Sequence, residues 1–331
     1  MHVLVTGAGG FIGHHLVAHL VGRGHHVRGV DVKCPEFAPT AAHEFLLLDL
    51  RDPGASLEAT RGVEEVYALA ADMGGMGYLS AHHAEVLAHN LRIDVNTVQA
   101  ARAQGVARVL YASSACVYPE GRQADVDAPP LREEEAYPAM PQDAYGWGKL
   151  TTERLLRHAR DEWGLGVRIA RFHNIFGELG TWRGGREKVP AALCRKVAEA
   201  RWRGTPEVEI WGDGEQTRSF CHVADCIVGL ERLMASDWQE PLNLGQERMI
   251  SVNALADLIA SVAGVRIEKR HVPGPQGVRG RTSDNTRLRE VLGWEPAITL
   301  EDGLARTYAW IERQVVASRA AGGGAGGVRG A

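Results

Sequence analysis

The sequence predicts an α/β fold: a Rossmann-type doubly wound parallel sheet followed by a smaller mixed α/β lobe. Three observations carry this. Short β-branched and apolar runs alternate with helical patterns through the first half of the chain. Those runs are almost continuously apolar, as strands covered on both faces must be. A glycine-rich turn joins the first run to the first helix.

In chain order, "HVLVT" (2–6) is the first strand, and the helical pattern at about 11–23 follows the glycine turn. "HVRGVD" (26–31), "FLLLDL" (45–50) and "EVYALA" (65–70) are the next strands, and a long helix covers about 80–104. "RVLYAS" (108–113) leads through a loop to a helix at about 143–163, then to "GVRIARF" (166–172). Beyond Asn174 the rhythm breaks. A Gly-rich loop, "GELGTWRGGREKVP" (177–190), precedes a helix through "AALCRKVAEARW" and a strand at "EVEIW". "RSFCHVADCIVGLERLM" (218–234) is a strand and helix returning to the first domain. "SVNALADLIASVAG" and "LEDGLARTYAWIERQV" are amphipathic helices of the second lobe. The expected division is therefore 1–173 for the first domain, with a returning segment near 216–246, and 174–317 mostly for the lobe. The Gly-rich tail 318–331 is expected to be disordered.

Composition excludes several classes. With 331 residues, 45% hydrophobic and 24% charged, the chain is of ordinary globular make-up. Its net charge of −4 argues against a nucleic-acid or membrane-surface binder, which needs a basic excess. No apolar run is long enough for a transmembrane helix. "MHVLVTGAGG" starts directly on a strand, so no signal peptide is expected. Five scattered cysteines fit free thiols in a reducing, cytoplasmic setting. "CHVADC" has no second ligand pair elsewhere and is read as structural, as are the His-His pairs; no metal is expected.

One end of the first domain has the chemistry of a dinucleotide site. In "TGAGGFIG", Gly7, Gly10 and Gly13 are spaced so that the backbone can turn tightly and approach a pyrophosphate. Phe11 and Ile12 open the helix whose positive end faces that anion. Asp31 ends the second strand, where a carboxylate accepts the two hydroxyls of an adenosine ribose and repels a 2′-phosphate. NAD is therefore favoured over NADP. Asp49 and Leu50 close the third strand, where adenine would lie.

The other end carries reactive groups. Tyr145 and Lys149 stand four apart on a helix, hence on one face. The ammonium and a positive nicotinamide are expected to move the phenol, ordinarily near ~10, toward use as a base. Ser114, at the end of its strand, can hydrogen-bond the same substrate hydroxyl. Cys116 is not explained by such an oxidation. A ketone left by an oxidation makes the neighbouring C–H bonds acidic, and a thiol titrates near ~8.5, lower beside cations. On residues alone, Cys116 is either a carbon-acid base or a small buried hydrophobe. Lys188, on the loop "GGREKVP", offers a second group for the opposite face of the ring. Pro190 is expected to hold that loop at its helix end, leaving its start mobile.

The glycine turn, the strand-end serines and the Y-x-x-x-K pair together resemble the extended short-chain dehydrogenase/reductases, which carry a nucleotide-sugar lobe after the first domain. A sugar-nucleotide dehydratase on this plan has Asp-Glu where this chain has Ala115-Cys116, and a plain 4-epimerase needs no base there. "LAADMGGMG", "YASSACVYP", "PQDAYG", "RFHNIFG", "TWRGGREKVPAA", "GDGEQTRSF" and "GPQGVRGRTSDN" resemble the GDP-mannose 3,5-epimerase family, from Met1 to about Ile311. The resemblance implies Cys116 and Lys188 as the acid/base pair, with Ser114, Tyr145 and Lys149 serving the C4 redox step on bound NAD. The substrate would be GDP-mannose, giving GDP-L-galactose after inversion at C3 and C5 or GDP-L-gulose after C5 alone. Contacts implied for it are Gly74, Ser114, Ala115, Cys116, Asn174, Glu187, Lys188, Lys196, Gln216, Thr217, Arg218 and Arg281. Lys196, Arg218 and Arg281 suit a diphosphate or are solvated surface charges; Asn174 could bridge backbone groups, and Arg218 could pair Asp225. The family's C-terminal residues near the nucleotide have no match in the Gly-rich tail. A homodimer through the helices near 80–104 and 142–163 is implied as well. The alternatives are a 4-epimerase or dehydratase of another nucleotide sugar, and a silent NAD-binding regulator.

Overall fold

Every apolar run of the first half becomes a strand of one sheet in the computed structural model, which describes residues 1–275 and 277–323. The chain runs β1 (His2–Thr6), α1 (Phe11–Gly22), β2 (His26–Asp31), β3 (Glu44–Leu47), α2 (Pro53–Thr60) and β4 (Glu65–Ala68). It continues through a single turn α3 (Met76–Leu79), α4 (His83–Ala103), β5 (Arg108–Ser114), α5 (Ala144–Trp163) and β6 (Gly166–Phe172). After β7 (Asn174–Phe176) come α6 (Val189–Arg203), β8 (Glu207–Trp211), β9 (Thr217–His222), α7 (Val223–Ala235), β10 (Pro241–Leu244) and β11 (Met249–Ser251). The last elements are α8 (Val252–Ala263), β12 (Glu268–Val272), β13 (Gly280–Arg281), α9 (Thr286–Leu292) and α10 (Leu300–Gly323).

The main sheet has seven parallel strands in the order β10-β6-β5-β4-β1-β2-β3. Strand order reverses between β1 and β4, so a crevice opens beyond their C-terminal ends. One apolar core lies between the sheet and α1 with α7, and a second between the sheet and α4 with α5. A third core, under α6, α8 and α10, belongs to the small lobe.

Several boundaries differ from the sequence reading, each for a local reason. The strand expected at 45–50 stops at Leu47, on the half-exposed edge of the sheet. The one expected at 65–70 stops at Ala68, because the N–H groups of Leu69 and Ala70 turn to the Thr6 hydroxyl, 3.0 Å each. That departure opens the crevice. The helix α2 was not anticipated, although Asp52 caps it through Gly54 N at 3.0 Å and Pro53 starts it. The returning segment divides: β9 joins a separate sheet with β7, β11 and β13, while α7 packs on α1 and β10 adds the seventh main strand. The last helix continues to Gly323, past the start of the tail expected at 318; residues 324–331 lie outside the described residues. Among the described residues, no helix is long and apolar enough to cross a membrane.

Candidate active site

A cavity of about 620 Å³ fills the crevice, running from Gly7 and Asp31 at one end to Ser114, Tyr145, Lys149 and Lys188 at the other. Its first wall is the glycine turn. Gly7 has φ +70°, and a Cβ there would lie 2.9 Å from Ala70 N. A Cβ on Gly13 would lie 2.1 Å from Gly7 O, so only glycine lets α1 pack this closely on the turn. Gly10 caps α1 without a side-chain bond, and the first turn carries no acidic residue. The N–H groups beginning at Phe11 and Ile12 are thus left for an anion, which fits a pyrophosphate.

Asp31 is held for its task. Its two oxygens accept from Gly9 N at 3.0 Å and Lys33 N at 3.2 Å, leaving lone pairs toward the cavity, which it lines. Burial pushes its carboxyl up, opposed by those backbone bonds. Asp49 and Leu50 line the same end, but Asp49 is engaged by Arg51, 2.5 Å away, which holds its carboxyl below the usual range. The residues present fit NAD: an uncapped helix start for the phosphates and a fixed carboxylate for the ribose.

At the other end, Ser114 terminates β5, and its Oγ accepts from Cys116 N at 3.1 Å. This bond caps a short 3₁₀ turn, Ala115–Val117, that carries Cys116. Cys116 packs against Tyr145, and a Cβ on Gly146 would stand 2.2 Å from Cys116 O. The start of α5, capped by Asp143 on Gly146 N at 2.8 Å, is therefore seated directly on the thiol-bearing turn. Lys149 lies 5.6 Å from the Tyr145 ring centroid and 4.5 Å from that of Tyr111.

Burial governs the electrostatics at this end. Burial pushes the Tyr145 phenol up, with Cys116 and Asp94 adding to it and a hydrogen bond from Ser114 opposing it. Lys149 does not reverse that. Burial pulls Lys149 itself down, with Asp94 first among the charges that hold it up. Removal from water is the largest influence on both groups. Lys188 stands deep within the protein envelope while its exposed surface faces the open cavity. Burial lowers it, Cys116 holds it up, and Arg281 lowers it further. The Cys116 thiol acts on Tyr145, Lys149, Lys188 and Arg218 alike, which makes it the centre of the group.

The residues of the second lobe are placed differently. Arg281, on β13, reaches Cys116 Sγ at 3.4 Å through Nη1 and bonds Gln123 Oε1 through Nε. Arg218 is half-buried; its guanidinium donates to Thr217 O at 2.7 Å and Val278 O at 2.6 Å. Burial, with the like charge of Arg281, pulls it down to about 9, still cationic at neutral pH. Asp225 does not serve it, accepting instead from Ile298 N at 2.8 Å. Asn174 donates to Ser219 O at 2.9 Å and so ties β7 to β9. Lys196 donates to Glu209 O at 2.8 Å, Glu187 pairs with Arg195 at 3.1 Å, and the Thr217 hydroxyl bonds Val126 O. Among the described residues, the buried Gln216 Oε1 has no partner. Gly74 and Ala115 are backbone neighbours of the site, Gly74 lining the cavity and Ala115 buried in the capped turn. The loop holding Lys188 is anchored at its start, contrary to expectation, because Trp182 is buried there.

Sequence reasoning missed the support beneath these groups. Asp94 is buried on α4 and accepts from Tyr111 OH at 2.6 Å and Thr152 Oγ1 at 2.8 Å. Glu153, one turn after Lys149, takes Arg171 at 2.6 Å and the Ser113 hydroxyl. His173 also lines the cavity, its Nε2 3.2 Å from Asn243 Oδ1. The signal existed: Asn90 and Asp94, and Lys149 and Glu153, repeat polar groups four apart on faces that are otherwise apolar.

Comparison with known proteins follows the same lines. A family model for the NAD dependent epimerase/dehydratase family matches residues 3–245. The chain is 47% identical over 317 residues to GDP-mannose 3,5-epimerase 1 of Oryza sativa subsp. japonica, covering 95% of this chain and 82% of that one. To GDP-mannose 3,5-epimerase of Arabidopsis thaliana it is 45% identical over 324 residues, with 97% and 85% covered. Among solved structures it is similar to the UDP-glucose 4-epimerase of Thermotoga maritima with UDP-glucose. The TM-score is 0.85 at 27% identity, over 95% of this chain and 100% of that one.

Proposed function

Because the chain belongs to the NAD dependent epimerase/dehydratase family, we propose that it epimerises GDP-mannose at C5 and C3 through transient oxidation at C4. The observation that carries this is the Ser114-capped turn, which sets the Cys116 thiol against Tyr145, with Lys188 at the cavity. The high identity to GDP-mannose 3,5-epimerases over nearly the whole chain supports the same substrate.

NAD supplies a reversible hydride acceptor at the sugar C4. Asp31 holds the adenosine ribose and the start of α1 the pyrophosphate, with Asp49 and Leu50 at the adenine end. Tyr145, hydrogen-bonded to Ser114, takes the C4 hydroxyl proton as the C4–H bond breaks, so the ring acquires a ketone. Lys149, with Asp94 behind it, sets the charge beside that phenol. Cys116 then removes the C5 proton, and the electron pair is held as the enolate. Lys188 gives a proton to the other face, and the C5 centre is inverted. C3 exchanges by the same pair while the ketone persists, once Cys116 has given its proton to solvent and Lys188 has taken one up. Return of hydride to C4 and of the Tyr145 proton to its oxygen then closes the cycle. Arg218, Arg281 and Lys196 are the diphosphate contacts in this reading, with Gln216 and Thr217 beside them and Gly74, Ala115, Asn174 and Glu187 bounding the sugar. The reading extends to a cytoplasmic homodimer: the five thiols are free, and α4 and α5 pack side by side with Trp147 of α5 42% exposed for a second copy.

The test is NMR of GDP-mannose turned over in deuterated water. Deuterium at C5 with L-configured products supports the reading. A product inverted only at C4, without deuterium, would replace it with a 4-epimerase.

A further inference from the structure

Lys188 is carried by the loop between β7 and α6. Its start is fixed by the buried Trp182 and its end by Pro190 in the first turn of α6. Between them Gly184 and Gly185 have φ of +93° and +84°, with no atom within 4 Å of where a Cβ would stand, so the tip can hinge. Across the cavity mouth the tip meets residues 72–79 of the first domain. The Arg186 guanidinium lies over the Tyr78 ring, 3.8 Å from its centroid. Its Nη1 reaches Asp72 Oδ1 at 3.5 Å and Met73 O at 3.4 Å. Asp72 is itself held in place: Tyr78 OH donates to it at 2.9 Å, and His89 of α4 stands 3.1 Å away. The two backbones also touch, since a Cβ on Gly75 would lie 2.7 Å from Glu187 O. Asp72 and Arg186 both line the cavity.

We propose that Arg186 is a positioning residue, strapping the Lys188 loop to the Asp72–Tyr78 segment so that the cavity closes over its contents and Lys188 is held at the sugar. The part concerning Lys188 rests on the function proposed above; the closure does not.

Release of NADH from the protein, without sugar, separates the two. It is followed by nicotinamide fluorescence in the unmodified protein, Arg186→Met, Tyr78→Leu and the double variant. Each single substitution is expected to speed release about twofold to fivefold, the range an exposed cation–ring contact supports. The double variant should release NADH more slowly than the product of the single effects requires, because both substitutions remove the shared cation–ring contact. Arg186→Lys, which keeps a cation over the ring, should recover part of the loss. With GDP-mannose, Arg186→Met should lower C5 deuterium exchange through kcat more than through KM. Multiplying effects in the double variant, or native release in all of them, would overturn the strap. Coupled release from a protein that exchanges no C5 proton would sustain the strap and remove the reading of Lys188.

Discussion

Ser114 works in two directions: its oxygen caps the turn that holds Cys116, and its side chain opposes the rise of the Tyr145 phenol. Redox and proton exchange are thereby joined at one residue, yet they depend on different side chains. Cys116→Ala is expected to retain hydride transfer, seen as absorbance of the reduced nicotinamide, and to lose deuterium uptake at C5. Epimerisation at the native rate would make the thiol packing alone. His173 gives a prediction on stability. Buried, it is pulled down to about 3 from an ordinary value near 6.5. The unfolded chain therefore takes up a proton below about pH 6.5 that the folded protein refuses, so stability falls as pH falls from there toward 3. At pH 5 the loss from this residue is about 2 kcal/mol. Urea midpoints at pH 7 and pH 5 should converge for His173→Gln relative to the unmodified protein.

At the scale of elements, α5 and the Lys188 loop decide where the reacting groups stand. Gly146 lies in the first turn of α5, where alanine would ordinarily favour the helix by about 0.5–1 kcal/mol. Here the Cβ would stand 2.2 Å from the Cys116 carbonyl, and overpacking against backbone costs about 1–3 kcal/mol. The clash wins. Gly146→Ala should lower the urea midpoint and slow C5 exchange together, because relief requires the turn to shift. Lys188→Met should keep GDP-mannose binding within a few-fold and lose inversion by about 10²–10⁴-fold. Arginine should not rescue it, since a guanidinium does not give up its proton. Lost binding with normal turnover at saturation would make Lys188 a contact instead of the acid.

Over the whole molecule, the site exists only where the lobes meet. Cys116 comes from the first domain and Arg281, 3.4 Å from its sulfur, from a strand of the small lobe's sheet. A ligand in that crevice binds the folded chain alone and so stabilises it by mass action, about 2.7 kcal/mol at a hundredfold excess over Kd. With NAD present, GDP-mannose should raise the melting temperature and UDP-glucose should leave it unchanged, as scanning fluorimetry can measure. Equal shifts from both would remove the substrate preference.

The sequence by itself determined what short-range geometry encodes. Gly7, Gly10 and Gly13 announce a tight turn between strand and helix, Asp31 ends its strand, and Tyr145 and Lys149 share a face because a helix repeats every 3.6 residues. Each statement needs only a few neighbouring residues, so each was legible, as was the alternation that yields the parallel sheet. Only the tertiary structure decided the rest. Arg281 and Cys116 are 165 positions apart, and no periodicity links them. The direction in which Tyr145 shifts depends on how much of the whole fold excludes water from it, a sum over distant segments. Asp94 lies on a different helix from Lys149, and its support for that ammonium arises when α4 packs on α5. Local order is written in local residues, whereas burial and charge at a crevice are properties of everything that surrounds it.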